Sequence, residues 1–198
     1  PAVVMDNNGN ALLAGVRRTN NAYELATAFL PAAGAQWQIE ASQPAFGETQ
    51  PALAFDANGT ATLLYRTRPM AADTFTTVYA ARRAADGSWG ARQRLIDGDG
   101  DTRFPRLGVA GNGDVLALFS YAESPAPFQV YTARFSGGLW GAAQPLQPTG
   151  SPEGRFAVSA RQWDGAVDSS LRNLRIYWRE ADPGDPTRAR IVSAAPLP

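Results

Sequence analysis

The sequence predicts an all-β chain, and three observations carry the prediction. A set of markers recurs with a period near fifty residues, each copy holds several apolar runs of strand length, and no stretch of ten or more residues sustains a helical period. Pro1, Pro51 and Pro105 open "PAVVMDNNGNALLAGVRR", "PALAFDANGTATLLYRTR" and "PRLGVAGNGDVLALFSYA". A glycine stands eight residues after each proline (Gly9, Gly59, Gly113), and a tryptophan follows 36, 38 and 35 residues after it (Trp37, Trp89, Trp140). Three markers keeping step identify a tandem repeat.

A fourth copy begins without the proline. "RFPRLGVAGNGDV" (Arg103 to Val115) aligns ungapped with "RFAVSARQWDGAV" (Arg155 to Val167) at a shift of 52. This copy degenerates towards "AAPLP", as terminal repeats commonly do.

Each element follows from local chemistry. The first strand is "AVVMD" or "ALAFD", with proline tolerated at a strand's first position. Asn-Gly in "NNGN", "DANGT" and "GNGD" supplies the positive-φ residues of a tight hairpin turn. The second strand is "ALLAGVRR", "ATLLYRTR" or "VLALFSYA", and the third is "YELATAFL", "TTVYAARR" or "FQVYTARF". The fourth follows a turn around the tryptophan: "WQIEAS", "WGARQRL", "WGAAQPL". In the last copy "LRIYWRE" serves as second strand and "TRARIVSA" as third.

Four strands per unit at this period predict a β-propeller-like fold. Four consecutive four-stranded antiparallel blades are expected, at about 1–50, 51–104, 105–156 and 157–198 of a single domain 1–198. They would form a complete small propeller or an arc of a larger one. Runs such as Leu63-Leu64-Tyr65 are apolar on both faces, as a strand covered on both sides requires. Small residues in the third strands (Thr27, Ala28, Ala80, Ala81, Thr132, Ala133) let neighbouring sheets approach closely.

Composition narrows the chemistry. The 198 residues include 18 bases, all Arg, against 18 acids, with no Cys, His or Lys. Disulfides, Cys or His metal sites, His-based triads, thiol nucleophiles and Lys Schiff bases are therefore excluded. Balanced charge without basic runs argues against nucleic acid or an anionic membrane as partner. No apolar run approaches the roughly 20 residues of a bilayer-spanning helix. A start at Pro1 without Met or signal peptide reads as a processed chain or a segment of a longer one.

The pattern "P-x-[LV]-x-[VF]-D-x-N-G-[NT]-A-x-x-[LV]", followed by "VYAARR…DGSWG", resembles the blade repeats of bacterial secreted and cell-surface propellers related to the sialidase-like BNR group. The resemblance covers residues 1–195 and weakens after Asp168. It implies an extracytoplasmic location. The Asp-box of sialidases reads S-x-D-x-G-x-x-W, whereas "ADGSW" (Ala85 to Trp89) lacks the Ser and sets Asp beside Gly. That departure weakens an inference of sialidase chemistry.

Several residue groups are candidates for a site. Asp97, Asp99 and Asp101 of "DGDGD" have the hard oxygen ligands that Ca²⁺ takes, although the twelfth position of an EF-hand loop would fall on Gly108 instead of Glu; the competing reading is a solvated turn. Arg103 and Arg155 occupy equivalent positions just before a first strand, where guanidiniums can grip a carboxylate. Arg82 and Arg134 repeat in the third strands, where packing or solvated roles are favoured. The fourth-to-first and second-to-third loops share one face, which gathers Glu48, Asp73, Asp99, Asp101, Glu123, Glu153 and Asp185 without selecting a catalytic pair. Trp37, Trp89 and Trp140 suit packing between blades, and Trp163 suits an exposed contact.

The expected function is a non-catalytic extracytoplasmic binding or assembly module, with a protein or glycan partner held by loops on a rigid scaffold. Arg103, Arg155, Glu48, Glu123 and Trp163 would make the contacts, and membership of a larger assembly is a variant of the same reading. A carbohydrate-binding lectin is the first alternative and a sialidase-type glycoside hydrolase the second. Apart from a calcium ion on the aspartates, no cofactor is expected.

Overall fold

The computed structural model describes residues 1–198 except 20–21, 45–48, 71–72, 111, 127, 147–151, 161–173, 183–184 and 195–198. For 19, 22, 41–44 and the strands after 151 it describes backbone alone. Among the described residues there is no helix, and the strands form four antiparallel sheets.

Sheet one has the order β1 (Ala2–Met5), β2 (Ala11–Thr19), β3 (Ala22–Leu30), β4 (Gln38–Pro44). Sheet two repeats it with β5 (Ala52–Phe55), β6 (Ala61–Thr67), β7 (Thr77–Arg83) and β8 (Gln93–Arg94). Sheet three has β9 (Asp101–Val109), β10 (Val115–Ala122) and β11 (Gln129–Ser136), whose outer edge pairs with two short pieces, β12 (Leu139–Trp140) and β13 (Gln144–Pro145). Sheet four shows three strands among the described residues: β14 (Pro152–Ala160), β15 (Leu174–Asp182) and β16 (Asp185–Ala194). The chain divides into two compact units, Pro1–Asp97 and Gly98–Pro198, with two sheets in each.

The repeat and its meander order follow the sequence reading; two of its boundaries do not. β9 starts at Asp101 and β14 at Pro152, so the expected boundaries at 104/105 and 156/157 fall inside strands. A β-bulge is the reason in sheet three. Leu118 pairs with Arg106 and Ser120 with Arg103, which leaves Phe104 and Pro105 opposite the single residue Phe119. Proline lacks a donor and is tolerated in a sheet at such a bulge. The proline that marks a strand start in the first two copies therefore sits within the strand in the third.

The hairpins between first and second strands also differ from expectation. They are three-residue loops in which the glycine takes the left-handed conformation (φ 84° at Gly9, 76° at Gly59, 85° at Gly113) and the preceding Asn does not. An aspartate holds each of the first two. Asp6 Oδ1 accepts from the N–H of Asn8 (2.9 Å) and Asn10 (2.8 Å), and Asp56 Oδ1 accepts from Asn58 (2.9 Å) and Thr60 (3.0 Å). The third copy has Ala110 there, and Asn112 Oδ1 takes over by accepting from Asp114 N–H at 3.1 Å. Asp56→Ala removes these bonds and the Arg82 partner described below, and is expected to cost about 2 kcal/mol in urea unfolding. A loss under half a kcal/mol would show that the turn holds without its carboxylate.

Sheets one and two pack face to face. Leu12, Ala14 and Leu25 of sheet one meet Leu53, Ala61, Leu63, Tyr65 and Tyr79 of sheet two, with Ala2, Val4, Phe29, Phe55 and Trp89 closing the margin. Tyr65 and Tyr79 stack within this core at 5.8 Å. β6 is buried along its whole length, which accounts for its unbroken apolar run.

One polar group crosses the interface. Thr27 pairs with Ala41 and Ala28 with Ile39, so Glu40 is the extra residue of a bulge in β4. Its carboxylate accepts from Arg83 of sheet two at both ends, Nε to Oε2 at 2.8 Å and Nη2 to Oε1 at 2.5 Å. Trp89 Nε1 donates to the same Oε2 at 3.2 Å, and the guanidinium lies over the Phe29 ring at 4.2 Å. Bulges re-aim side chains, and here the re-aimed side chain joins the two sheets.

Candidate functional site

Two groups of chemistry-bearing side chains lie where β9 begins and β10 ends, one on each face of the sheet. Register places Arg103 opposite Ser120, Thr102 opposite Tyr121 and Asp101 opposite Ala122, so the start of β9 lies beside the loop that follows β10. Phe128 returns from that loop, and the Arg103 guanidinium lies 4.1 Å above its ring. Arg103 Nε also donates to Asp101 Oδ2 at 3.3 Å. Both partners of this pair are substantially solvated, so it contributes little to stability. Arg103 is thus an exposed cation held flat on an aromatic ring.

The backbone beside it is strained. Phe104 has φ 54°, the left-handed region that a bulky residue rarely adopts, at a cost of about 1 kcal/mol or more. Together with the bulge at Phe104–Pro105, this sets the direction from which Arg103 leaves the strand.

Tyr121 and Glu123 form the second group, on the other face, since Tyr121 pairs with Thr102 and Arg103 with Ser120. They lie two residues apart at the end of β10, and the buried tyrosine donates its hydroxyl to Glu123 Oε1 at 2.8 Å. Burial and then this bond to a carboxylate push the Tyr121 phenol up to about 12. Because the folded value lies above the ordinary value near 10, the associated stability is complete below pH 10 and is lost as pH rises towards 12. Tyr121→Phe is expected to flatten the decline of stability in this window, followed by urea unfolding at a series of pH values. An unchanged decline would place the sensitivity elsewhere.

The "DGDGD" segment proves to be shaped by this tyrosine. A Cβ at Gly98 would lie 2.7 Å from Glu123 Oε1 and against the Tyr121 hydroxyl, and Gly98 has φ 101°. A Cβ at Gly100 would lie 2.5 Å from Tyr121 Cε2 and against the carbonyl oxygen of Ala122. The glycines let the chain lie on the ring. The calcium expectation is corrected accordingly: Asp97, Asp99 and Asp101 do not converge, and no group of three or more carboxylates among the described residues could hold a metal ion. Only Asp101 lies on β9, Asp97 and Asp99 precede it across a bend at Gly98–Asp99, and Asp101 is engaged by Arg103.

The other expected residues divide as follows. Glu48 and Trp163 lie outside the described residues. Arg155 is on β14 within a register irregularity between Pro152 and Phe156, as Arg103 adjoins the bulge of β9, and β14 runs beside β9. Arg82 and Arg134 have structural partners: Arg82 reaches Asp56 at 3.2 Å and Thr62 Oγ1 at 2.8 Å, and Arg134 reaches Asp114 at 2.7 Å. Each ties the third strand to the first hairpin of its sheet. Trp89 packs between sheets one and two as expected, Trp140 lies 5.5 Å from Phe135 of its own sheet, and Trp37 is exposed. Phe128 and Tyr121 were not singled out from the sequence. The one available signal was the alternation that puts Tyr121 and Glu123 on the same side of a strand end.

In the first unit the equivalent loop end carries an exposed aromatic, Tyr23, opposite Arg18, with the adjacent Arg17 and Glu24 paired at 3.0 Å. Aromatic, guanidinium and carboxylate thus recur together at this end of both units. No described helix is long and apolar enough to cross a membrane.

No family model matches the chain, and no curated protein matches it. Solved structures do. An α-L-arabinanase of Penicillium chrysogenum aligns over 96% of this chain and 57% of its own, at 16% identity and a TM-score of 0.58. An α-L-arabinofuranosidase of Fusarium graminearum aligns over 98% and 60%, at 14% identity and 0.64. A Hadza microbial sialidase aligns over 100% and 44%, at 12% identity and 0.60. The chain therefore spans about half the length of these structures. They are β-propeller enzymes, and at such low identity the likeness is one of fold: antiparallel sheets of the kind that serve as propeller blades.

Proposed function

We propose that this chain is a carbohydrate-binding propeller-type domain that receives a glycan at the loop end built from Arg103, Asp101 and Phe128. The observation that carries the reading is the solvated Arg103 held 4.1 Å over Phe128 and hydrogen-bonded to the Asp101 carboxylate, on a fold shared with carbohydrate-active enzymes. Sugars present several hydroxyls around a weakly apolar ring, and a guanidinium, a carboxylate and an aromatic edge supply matching donors, acceptors and surface. This combination supports carbohydrate recognition over the purely assembly-related role expected from sequence. An extracytoplasmic setting, where glycans abound, belongs to the same proposal.

Screening against a glycan array, followed by calorimetry on the best ligand, tests the reading. Arg103→Ala is expected to weaken binding about tenfold, the value of one charge-assisted hydrogen bond, without altering thermal stability. Binding unaffected by Arg103→Ala and Phe128→Ala would remove the site from consideration.

A glycoside hydrolase is the second reading, favoured by the Tyr121–Glu123 pair, a buried hydroxyl bonded to an exposed carboxylate. Turnover of chromogenic arabinosides or sialosides that disappears in Glu123→Gln, with binding retained, would select it over simple binding.

A further inference from the structure

The hairpins between first and second strands of sheets one, two and three all carry the dipeptide Asn-Gly: Asn8-Gly9, Asn58-Gly59 and Asn112-Gly113. This pair supports a spontaneous reaction with water. The glycine nitrogen attacks Cγ of the asparagine side chain, a C–N bond closes a five-membered imide, and the side-chain nitrogen leaves as ammonia. Water then opens the imide at one of its two carbonyls. The product is aspartate, or an isoaspartate whose main chain runs through the former side chain; nothing is oxidised or reduced. Glycine favours the first step, because it has no Cβ to crowd the approach of its nitrogen.

Three copies of one dipeptide in one kind of turn isolate what the surroundings contribute. The attacking nitrogens are alike: Gly9 N–H donates to the Asp6 carbonyl at 3.1 Å, Gly59 to that of Asp56 at 3.2 Å and Gly113 to that of Ala110 at 3.0 Å. The glycine backbones are alike as well, with φ between 76° and 85°. All three asparagines are exposed, so water reaches each of them.

The side-chain amides are not alike. Asn112 Oδ1 accepts from Asp114 N–H at 3.1 Å, and the same side chain bonds the Asp114 carboxylate. Attack on Cγ comes from above the amide plane and needs that plane to turn, which these two bonds resist. In the first two hairpins an aspartate does the holding instead. Asp6 Oδ1 accepts from Asn8 and Asn10, and Asp56 Oδ1 from Asn58 and Thr60. Only the main-chain N–H of Asn8 and of Asn58 is engaged, and among the described residues neither side-chain amide makes a hydrogen bond.

We infer that Asn8 and Asn58 are sites of spontaneous deamidation, and that Asp114 holds Asn112 back from the same reaction. Each conversion adds one negative charge to a chain of net charge zero. At residue 58 the isoaspartate product also adds a carbon to the main chain of the loop between β5 and β6. It shifts the N–H groups that Asp56 accepts and sets a second carboxylate near the first. The reaction therefore loosens the hairpin of sheet two as the chain ages.

Peptide mapping by mass, on the intact chain kept in warm neutral buffer and on the same chain in concentrated urea, tests the inference. In the folded chain residues 8 and 58 should convert about fivefold faster than residue 112, the rate equivalent of one ordinary hydrogen bond. In urea the three rates should converge, because the dipeptide is the same and its surroundings are gone. Gly59→Ala should suppress conversion at residue 58 and leave residue 8 unaffected. Conversion of Asn112 as fast as the other two in the folded chain overturns the inference. So does a folded chain in which Asn8 and Asn58 stay intact while urea exposes all three, or an unchanged rate at residue 58 in Gly59→Ala. Glycan binding does not enter any of these outcomes.

Discussion

Glu40→Ala is expected to destabilise the chain by about 3–5 kcal/mol, the largest single-residue loss outside the apolar core. The variant leaves the Arg83 guanidinium, whose side chain is 4% exposed, without the carboxylate that accepts two of its hydrogen bonds. Trp89 loses its acceptor at the same time. Removing one partner of a buried pair costs far more than the pair's net worth, because an uncompensated charge stays behind. Glu40→Leu combined with Arg83→Met should accordingly recover most of the loss. Urea unfolding followed by tryptophan fluorescence measures both variants. A Glu40→Ala cost below 1 kcal/mol would mean that water reaches Arg83 and that the two sheets are held by apolar packing alone.

Gly100→Ala is expected to rank second, at about 3 kcal/mol, the upper range for forcing an added carbon into a filled space. The added Cβ meets the Ala122 carbonyl and the Tyr121 ring, and neither can withdraw without breaking the pairing of β9 with β10. Gly59→Ala is the informative contrast. Its Cβ meets nothing within 4 Å, so only the left-handed backbone (φ 76°) is penalised, at about 1–2 kcal/mol. Equal costs for the two variants would show that backbone conformation, and not the closeness of Tyr121, accounts for the glycines of "DGDGD". Because Gly100 adjoins Asp101 and Arg103, the same variant should also weaken glycan binding.

These two residues show where sequence reasoning stops. Gly100 attracted attention as part of an acidic, flexible run, and its neighbours suggested a cation site. The cause of the glycine was a ring more than twenty residues away, and local composition holds no record of such a contact. Glu40 drew no attention, since it is one acid in a strand of mixed character. Its role arises from a one-residue bulge, which period-two alternation cannot anticipate. Arg83 is specific to its copy as well: the equivalent places hold Leu30 and Phe135, so the repeat itself gave no hint.

Arg103 lies between these extremes. Its equivalence to Arg155 was visible as a matched shift of 52 residues, and both fall beside register irregularities of their strands. The partner Phe128 was not foreseeable, because it lies beyond the loop that follows β10 and meets Arg103 only through the folded packing of that loop end. Arg82 and Arg134, equally regular in sequence, turned inward to the hairpin carboxylates of their own sheets.

Periodic information, namely the repeat length, the strand order and the hairpin glycines, was written along the chain, since hydrogen-bonded hairpins join neighbours and their signals are local. Which faces are covered, which arginines are neutralised and where a strand bulges depended on sheets meeting across forty or more residues. Burial and charge pairing are properties of those meetings. Val3 of sheet one is exposed where its counterpart Leu53 of sheet two is buried, and only packing tells the two apart.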